Sequence, residues 1–200
     1  MLDSASRSPG SARTLLISGL VLAVLVTVVP TALWWVGHRS VVRVIAATGV
    51  PQCEGTEPTT VRDPITAFER VAIPMTEGFA CTLTIRVTNN SDREVTLDQI
   101  SVPVGGPGGG AGFRVTHLGA DAVAADGDLD AVADLGEPLE PGADQLVGMR
   151  VVFRKSGCTS AGGHMWVEPT IVVSDLLASH TLIIADLPAF LGTADSSCDT

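Results

Sequence analysis

The sequence predicts an antiparallel all-β sandwich tethered by one N-terminal transmembrane helix, and three observations carry that prediction. From Thr14 to Val36 no side chain is charged. Beyond it, short β-prone runs alternate with Gly, Pro, Asn and Asp turn signals, with little helical periodicity. Four cysteines, Cys53, Cys81, Cys158 and Cys198, all fall on the C-terminal side of the apolar run. The implied divisions are a cytoplasmic tail over 1–13, a membrane helix over 14–36, a juxtamembrane segment and linker over 37–66, and a sandwich ectodomain over 67–200.

The tail contains Ser, Pro and Gly with Arg7 and Arg13, and is expected to be disordered. The span that follows makes a helix of roughly 35 Å, enough to cross a hydrocarbon core of about 30 Å with some tilt. Trp34 and Trp35 suit an aromatic belt at the outer interface, and a membrane helix tolerates Pro30. Arg7 and Arg13 before the span are balanced by Arg39 and Arg43 after it, so flanking charge decides little about orientation. The cysteines and the acidity of the large domain favour a cytoplasmic N-terminus and an extracytoplasmic C-terminal domain. A cleavable signal peptide would have a shorter apolar region and small residues after it. Here Leu33-Trp34-Trp35-Val36-Gly37-His38 follows, which favours an uncleaved, single-pass anchor.

From His38 onward 10 Lys and Arg face 21 Asp and Glu, a net charge of 10 − 21 = −11. Such a surface repels phosphate backbones, so nucleic-acid binding is disfavoured. Lys155 is the only lysine among abundant Arg, Ala, Gly, Val and Asp, a usage that points to a GC-rich bacterial genome. An even cysteine count in a tethered domain implies two disulfides in an oxidising compartment. No C-x-x-C occurs, which removes a zinc ribbon or a thioredoxin-like site.

Along the domain, Val41–Ala47 is apolar and β-prone, either a strand or an extension of the helix. The stretch from Gly49 to Pro64 carries three prolines among Thr and Glu and is expected to be linker. Arg70–Met75 predicts a short strand. Ala80–Thr88 is the clearest one, with Cys81, Leu83, Ile85 and Val87 alternating against Thr82, Thr84, Arg86 and Thr88. Asn89-Asn90-Ser91-Asp92 is a turn, because Asn and Asp bond their own main chain. Glu94–Val102 is the return strand. Val95 and Leu97 share a face with Ile100 and Val102 only if parity slips near Asp98-Gln99, which predicts a β-bulge. Gly105–Gly112 is expected to be a flexible loop, and Phe113–Leu118 a strand. The G-x-G-x-x-A spacing of Gly106, Gly108 and Ala111 carries no dinucleotide site, since a strand and not a helix follows.

Asp121–Glu137 is acidic and Ala-rich, and is expected to be a solvated loop or one short helix with Val123, Leu129 and Val132 inward. Asp126, Asp128, Asp130, Asp134 and Glu137 also fall at positions 1, 3, 5, 9 and 12 of an EF-hand-like calcium loop. Ala131 stands where that loop needs Gly, and Pro138 where its helix should begin. Leu139-Glu140-Pro141-Gly142 is a turn that launches Gln145–Arg154, followed by a loop over Lys155–Gly163. Met165–Ser174 and Thr181–Leu187 are the last strands. The pattern outlines an immunoglobulin-like sandwich, with an up-and-down barrel as the alternative.

The stretch from Cys81 to Val102, with Leu139-Glu140-Pro141-Gly142 before a later strand, resembles the Ig-like ectodomains of membrane-anchored proteins in high-GC Gram-positive bacteria. The resemblance covers 79–103 and 139–187, and it implies an envelope domain with no catalytic residues to transfer.

Taking Ala80–Thr88 and Gln145–Arg154 as parallel strands of a sandwich puts Cys81 and Cys158 at opposite ends, too far apart for a bond that needs Cα atoms within about 7 Å. The expected pairs are then Cys81–Cys198 and Cys53–Cys158.

Catalytic patterns are scarce. Cys158-Thr159-Ser160-Ala161-Gly162 lacks the first glycine of a nucleophile elbow. Cys158 and His164 could form a thiol–imidazole pair, but a disulfide half beside a surface histidine is the expectation. His38, His117 and His180 lack carboxylates at metal-ligand spacing, and Glu168 and Asp186 are expected to be strand residues facing water. The sequence therefore points to a binding module with a protein partner in the envelope, without catalysis or cofactor. The alternative is a calcium-responsive surface domain using the 126–137 segment.

Overall fold

The computed structural model describes residues 10–62, 68–124 and 127–198, with side chains from residue 22 onward. Among the described residues the regular elements are one helix, α1 (Gly10–Val41), and strands. Within α1, Leu22–Val41 is long and apolar enough to cross a membrane, with a mean hydropathy of 1.3. Its side chains are mostly exposed, with Leu22, Val26 and Val28 all more than half accessible. The hydroxyls of Thr27 and Thr31 donate to the carbonyls of Ala23 (2.8 Å) and Thr27 (2.7 Å), so neither needs water. The helix begins at Gly10, four residues before the predicted span, and continues to Val41, five beyond it.

The strands are β1 (Val44–Thr48), β2 (Gln52–Glu54), β3 (Thr59–Arg62), β4 (Glu69–Pro74), β5 (Ala80–Asn89), β6 (Val95–Val102), β7 (Phe113–Leu118), β8 (Asp121–Ala122), β9 (Ala131–Leu139), β10 (Asp144–Phe153), β11 (His164–Met165), β12 (Thr170–Ser174), β13 (Ser179–Ile183) and β14 (Ala189–Leu191). One sheet runs β1-β5-β10-β7-β8, with β2 also on β5; a second runs β13-β12-β6-β9. The alternating faces of these two sheets make the core. Leu83, Ile85, Val87, Val147, Met149 and Val151 come from the first, and Leu97, Ile100, Ile171 and Val173 from the second. A smaller sheet, β11-β14-β4-β3, adds Ile73 and Phe190. Phe190 stacks on Phe113 with ring centroids 4.1 Å apart. The all-β sandwich with one N-terminal helix is thus present. It is antiparallel throughout the two large sheets, with one parallel pair, β14 on β4.

The predicted hairpin and bulge are found. Cys81, Leu83, Ile85 and Val87 are all buried, and pairing with both β9 and β12 skips Asp98, leaving Val95, Leu97, Ile100 and Val102 on the core face. Three expectations need correction. Val44–Thr48 is the strand that Val41–Ala47 offered as one alternative, but the Gly49–Pro64 stretch is not a linker, because Gln52–Glu54 pairs with the start of β5 and Thr59–Arg62 pairs with β4. Residues 63–67, which hold the end of the 37–66 segment and the first residue after it, lie outside the described residues. The acidic stretch is neither loop nor helix over most of its length. Ala131–Leu139 is an edge strand that turns Ala131 and Ala133 inward and leaves Val132 and Leu129 exposed, while Val123 packs partly against the core. The Met165–Ser174 run is split by Pro169, sending β11 and β12 to different sheets.

Candidate functional site

Two places on the molecule combine chemistry with a defined position. The first is the junction between helix and sandwich. The last turn of α1 closes with Val42 N donating to His38 O (3.1 Å) and Arg43 N to Ser40 O (3.2 Å), and the chain enters β1 at once. Ser40, Val41 and Val44 are buried, so the end of the helix belongs to the sandwich core. Gly37 lies against the β12–β13 turn. A Cβ placed there would sit 2.6 Å from Leu177 Cβ and 2.8 Å from Asp175 Oδ1, so no larger residue fits without moving the turn. Asp175 Oδ1 accepts from Leu177 N (2.7 Å) and Ala178 N (2.9 Å), while its buried Oδ2 has no partner among the described residues. His38 meets His180 edge-on at 6.2 Å and stacks on Trp34 at 5.1 Å, and Arg39 Cζ lies 3.5 Å from the Trp35 ring centroid.

The second place is an open cleft of about 420 Å³ between the Thr48–Pro51 segment, Phe68–Val71 and Asp186–Pro188. Leu187 floors it, whereas Val50 and Phe68 are 87% and 72% exposed at its rim. Arg70 Nη1 donates to Ala185 O (3.2 Å), and Arg70 Cζ lies 5.1 Å from the Trp166 ring centroid. Thr48 Oγ1, buried in the same wall, has no partner among the described residues. A surface that mixes apolar rim, guanidinium and carboxylate suits contact with another polypeptide.

The predicted site residues fall elsewhere. All four cysteines are in disulfides, but the expected pairing is wrong: the bonds are Cys53–Cys81 and Cys158–Cys198. The reason is topological. β5 and β10 are antiparallel neighbours, with Val152 opposite Ala80, so the end of one lies beside the start of the other. β2 then sets Cys53 directly opposite Cys81, at a Cα separation of 4.1 Å. With its sulfur bonded to Cys198, Cys158 is not a thiol partner for His164, which stacks at 6.3 Å from Trp166.

The calcium-loop geometry is overturned by β9. A strand rises about 3.3 Å per residue, so Asp134 and Glu137 cannot curl around an ion with Asp128 and Asp130. Asp130 accepts from Val104 N (3.0 Å), Asp134 from Gln99 Nε2 (3.0 Å) and Glu137 from Gln145 Nε2 (3.4 Å); Asp126 lies outside the described residues. Among the described residues no group of three or more His, Cys, Asp or Glu is placed to hold a metal. Glu168 and Asp186 are exposed, though in irregular and turn backbone rather than in strands.

The glycine-rich segment is also corrected. Instead of a free loop it wraps the buried Arg154, whose guanidinium donates to the carbonyls of Gly106 and Gly109. Burial, and then the charge of Arg114, holds the Arg154 pKa below its ordinary value. Gly106 N donates to Leu129 O (2.9 Å) and Gly108 N to Asp128 O (3.0 Å), which joins the segment to the acidic one. Sequence reasoning missed Gly37 and Arg154. A glycine at the polar end of an apolar helix and an arginine closing a strand were the available signals.

No family model matches this chain, and no curated protein matches it. Solved structures that share part of its outline are distant. A Northeast Structural Genomics Consortium target, SoR45, is 9% identical over 77% of this chain and 89% of its own, with a TM-score of 0.40. A GH20 exo β-N-acetylglucosaminidase from Vibrio harveyi is 9% identical over 76% of this chain and 19% of its own, with a TM-score of 0.33. The seventh PapD-like domain of human CEP192 is 14% identical over 60% of this chain and 80% of its own, with a TM-score of 0.32. At these values the likenesses define no family.

Proposed function

We propose that the chain is a single-pass, membrane-anchored interaction module of the cell envelope, with its N-terminus cytoplasmic and its sandwich outside. The lipid bilayer holds the helix over 14–36, and a protein partner is bound by the domain without catalysis or cofactor. The observation that supports this reading is the junction: an apolar helix with exposed side chains runs without a linker into the first strand of a disulfide-bonded sandwich. The cleft with Val50, Phe68, Arg70 and Asp186 is the partner-facing surface that its open shape and mixed chemistry favour.

Protease and a membrane-impermeant maleimide added to intact cells test the arrangement. The domain should be cut, and its four cysteines should react only after reduction. Cleavage confined to the N-terminal tail, or four thiols that react without reductant, overturns the reading. Photo-crosslinkers at Phe68 and at Leu129 address the partner. A discrete protein adduct is expected from Phe68, and adducts of equal yield from both positions would remove the cleft as its surface.

A further inference from the structure

The junction fixes how high the sandwich stands above the bilayer. Ser40 and Val41 are buried in protein, so the helix leaves lipid before Ser40; Trp34 and Trp35, about half exposed, mark the interface below it. At 1.5 Å per residue, Gly37 lies only about 3–4.5 Å beyond those rings. The headgroup layer of one leaflet is about 5–7.5 Å thick, the difference between a full bilayer of about 40–45 Å and its core of about 30 Å, halved. Whatever touches Gly37 therefore lies within that layer.

The β12–β13 turn touches it. Leu177 and Asp175 are the nearest groups to a Cβ built at Gly37, and between them Leu176 projects with 96% of its surface exposed. An isolated exposed leucine elsewhere would need no explanation. This one sits in a turn closed by bonds from Leu177 N and Ala178 N to the Asp175 carboxylate, at the one height where an apolar tip has a solvent that suits it. Arg39, folded over Trp35, places a guanidinium at the same level, in reach of lipid phosphates.

We propose that the β12–β13 turn is a second membrane contact, with Leu176 inserted at the headgroup–acyl boundary of the leaflet from which the helix emerges. The sandwich then stands on the bilayer in a fixed orientation, with its disulfide end outward. This inference rests on the anchor reading of the preceding section.

The test uses the full chain in phosphatidylcholine–phosphatidylglycerol vesicles, with both disulfides formed and one environment-sensitive probe at a time. The probe is attached at Leu176→Cys, at Leu25→Cys within the span, or at Leu129→Cys, an exposed leucine two residues before β9. The 176 probe should be quenched by a shallow lipid nitroxide and should show at least about threefold less iodide quenching than the 129 probe. Equal iodide quenching at 176 and 129, with the 25 probe in lipid, overturns the second contact and leaves the anchor standing. A 25 probe that lipid nitroxides do not reach overturns the anchor and the contact together.

Discussion

Asn89 and Leu139 are separated by 50 residues and joined by a hydrogen bond of 2.9 Å from the Asn89 side-chain amide to the Leu139 carbonyl. The same nitrogen donates to Arg93 O (2.8 Å), and Asn89 Oδ1 accepts from Ser91 N (2.9 Å). The Asn89 main chain adds bonds to Ala143 and Gly142. One fully buried side chain thus ties the β5–β6 hairpin to the β9–β10 turn across the two large sheets.

Asn89→Ala removes the donor to the buried Leu139 carbonyl and the acceptor for Ser91 N, whereas the Arg93 carbonyl keeps its bond from Ser91 Oγ (2.8 Å). A loss of about 2–4 kcal/mol is expected, read as a lower urea midpoint at unchanged slope. Asn89→Asp, which keeps the acceptor and removes the donor, should be no better. If Asp restored the stability lost with Ala, the donor role would be wrong.

The two disulfides close loops of different length, with sequence separations of 28 and 40. Restricting the unfolded chain over loops of that size is worth about 3–4 kcal/mol each. Replacing Cys53 and Cys81 together, or Cys158 and Cys198 together, by Ala should each lower stability by about that amount. Non-reducing peptide mapping should recover a Cys53–Cys81 and a Cys158–Cys198 cross-linked peptide. A Cys81–Cys198 peptide would instead reinstate the pairing expected from sequence.

What the sequence disclosed depended on side-chain size. Cys81, Leu83, Ile85 and Val87 announce β5 because large apolar residues alternate with polar ones, and the displaced parity of Ile100 announces the bulge at Asp98. β9 was hidden because its inward residues are Ala131 and Ala133, whose small side chains give no alternating signal and favour helix elsewhere. β2 and β3 were hidden by brevity and by flanking prolines. The Cys53–Cys81 bond was hidden with β2, since the β2–β5 pairing brings Cys53 to Cys81. The junction was illegible for another reason: nothing in the identity of Gly37 says which distant turn packs against it.

The glycine-rich segment makes a paired prediction. Gly106 has Asp128 O and Asp130 O each 2.4 Å from the position of a Cβ, and both are backbone atoms with little freedom to move. Gly110, in the same segment, has nothing within 4 Å. Gly106→Ala should destabilise by more than about 2 kcal/mol, whereas Gly110→Ala should stay within about 0.5 kcal/mol of the parent in thermal unfolding. Equal effects at the two positions would mean that the segment is the free loop its composition suggests.

Asp144 supplies the acid-side prediction. Its carboxylate accepts from Thr88 Oγ1 (2.6 Å) and from Arg86 Nη1 (2.7 Å), and the Thr88 bond, then the Arg86 bond, lowers its pKa from the ordinary 3.8. Because the folded-state pKa is depressed, the stabilisation is present above the unfolded-state pKa. It fades as pH falls through that value toward the folded one. The pair is exposed, so salt should weaken it. Carboxyl carbon shifts followed through an NMR titration should place the Asp144 midpoint below that of a free aspartate. Thr88→Val and Arg86→Gln should each raise that midpoint, since the hydroxyl bond and the guanidinium, by its bond and its charge, both lower it. A midpoint unmoved by Thr88→Val would assign the shift to the guanidinium alone.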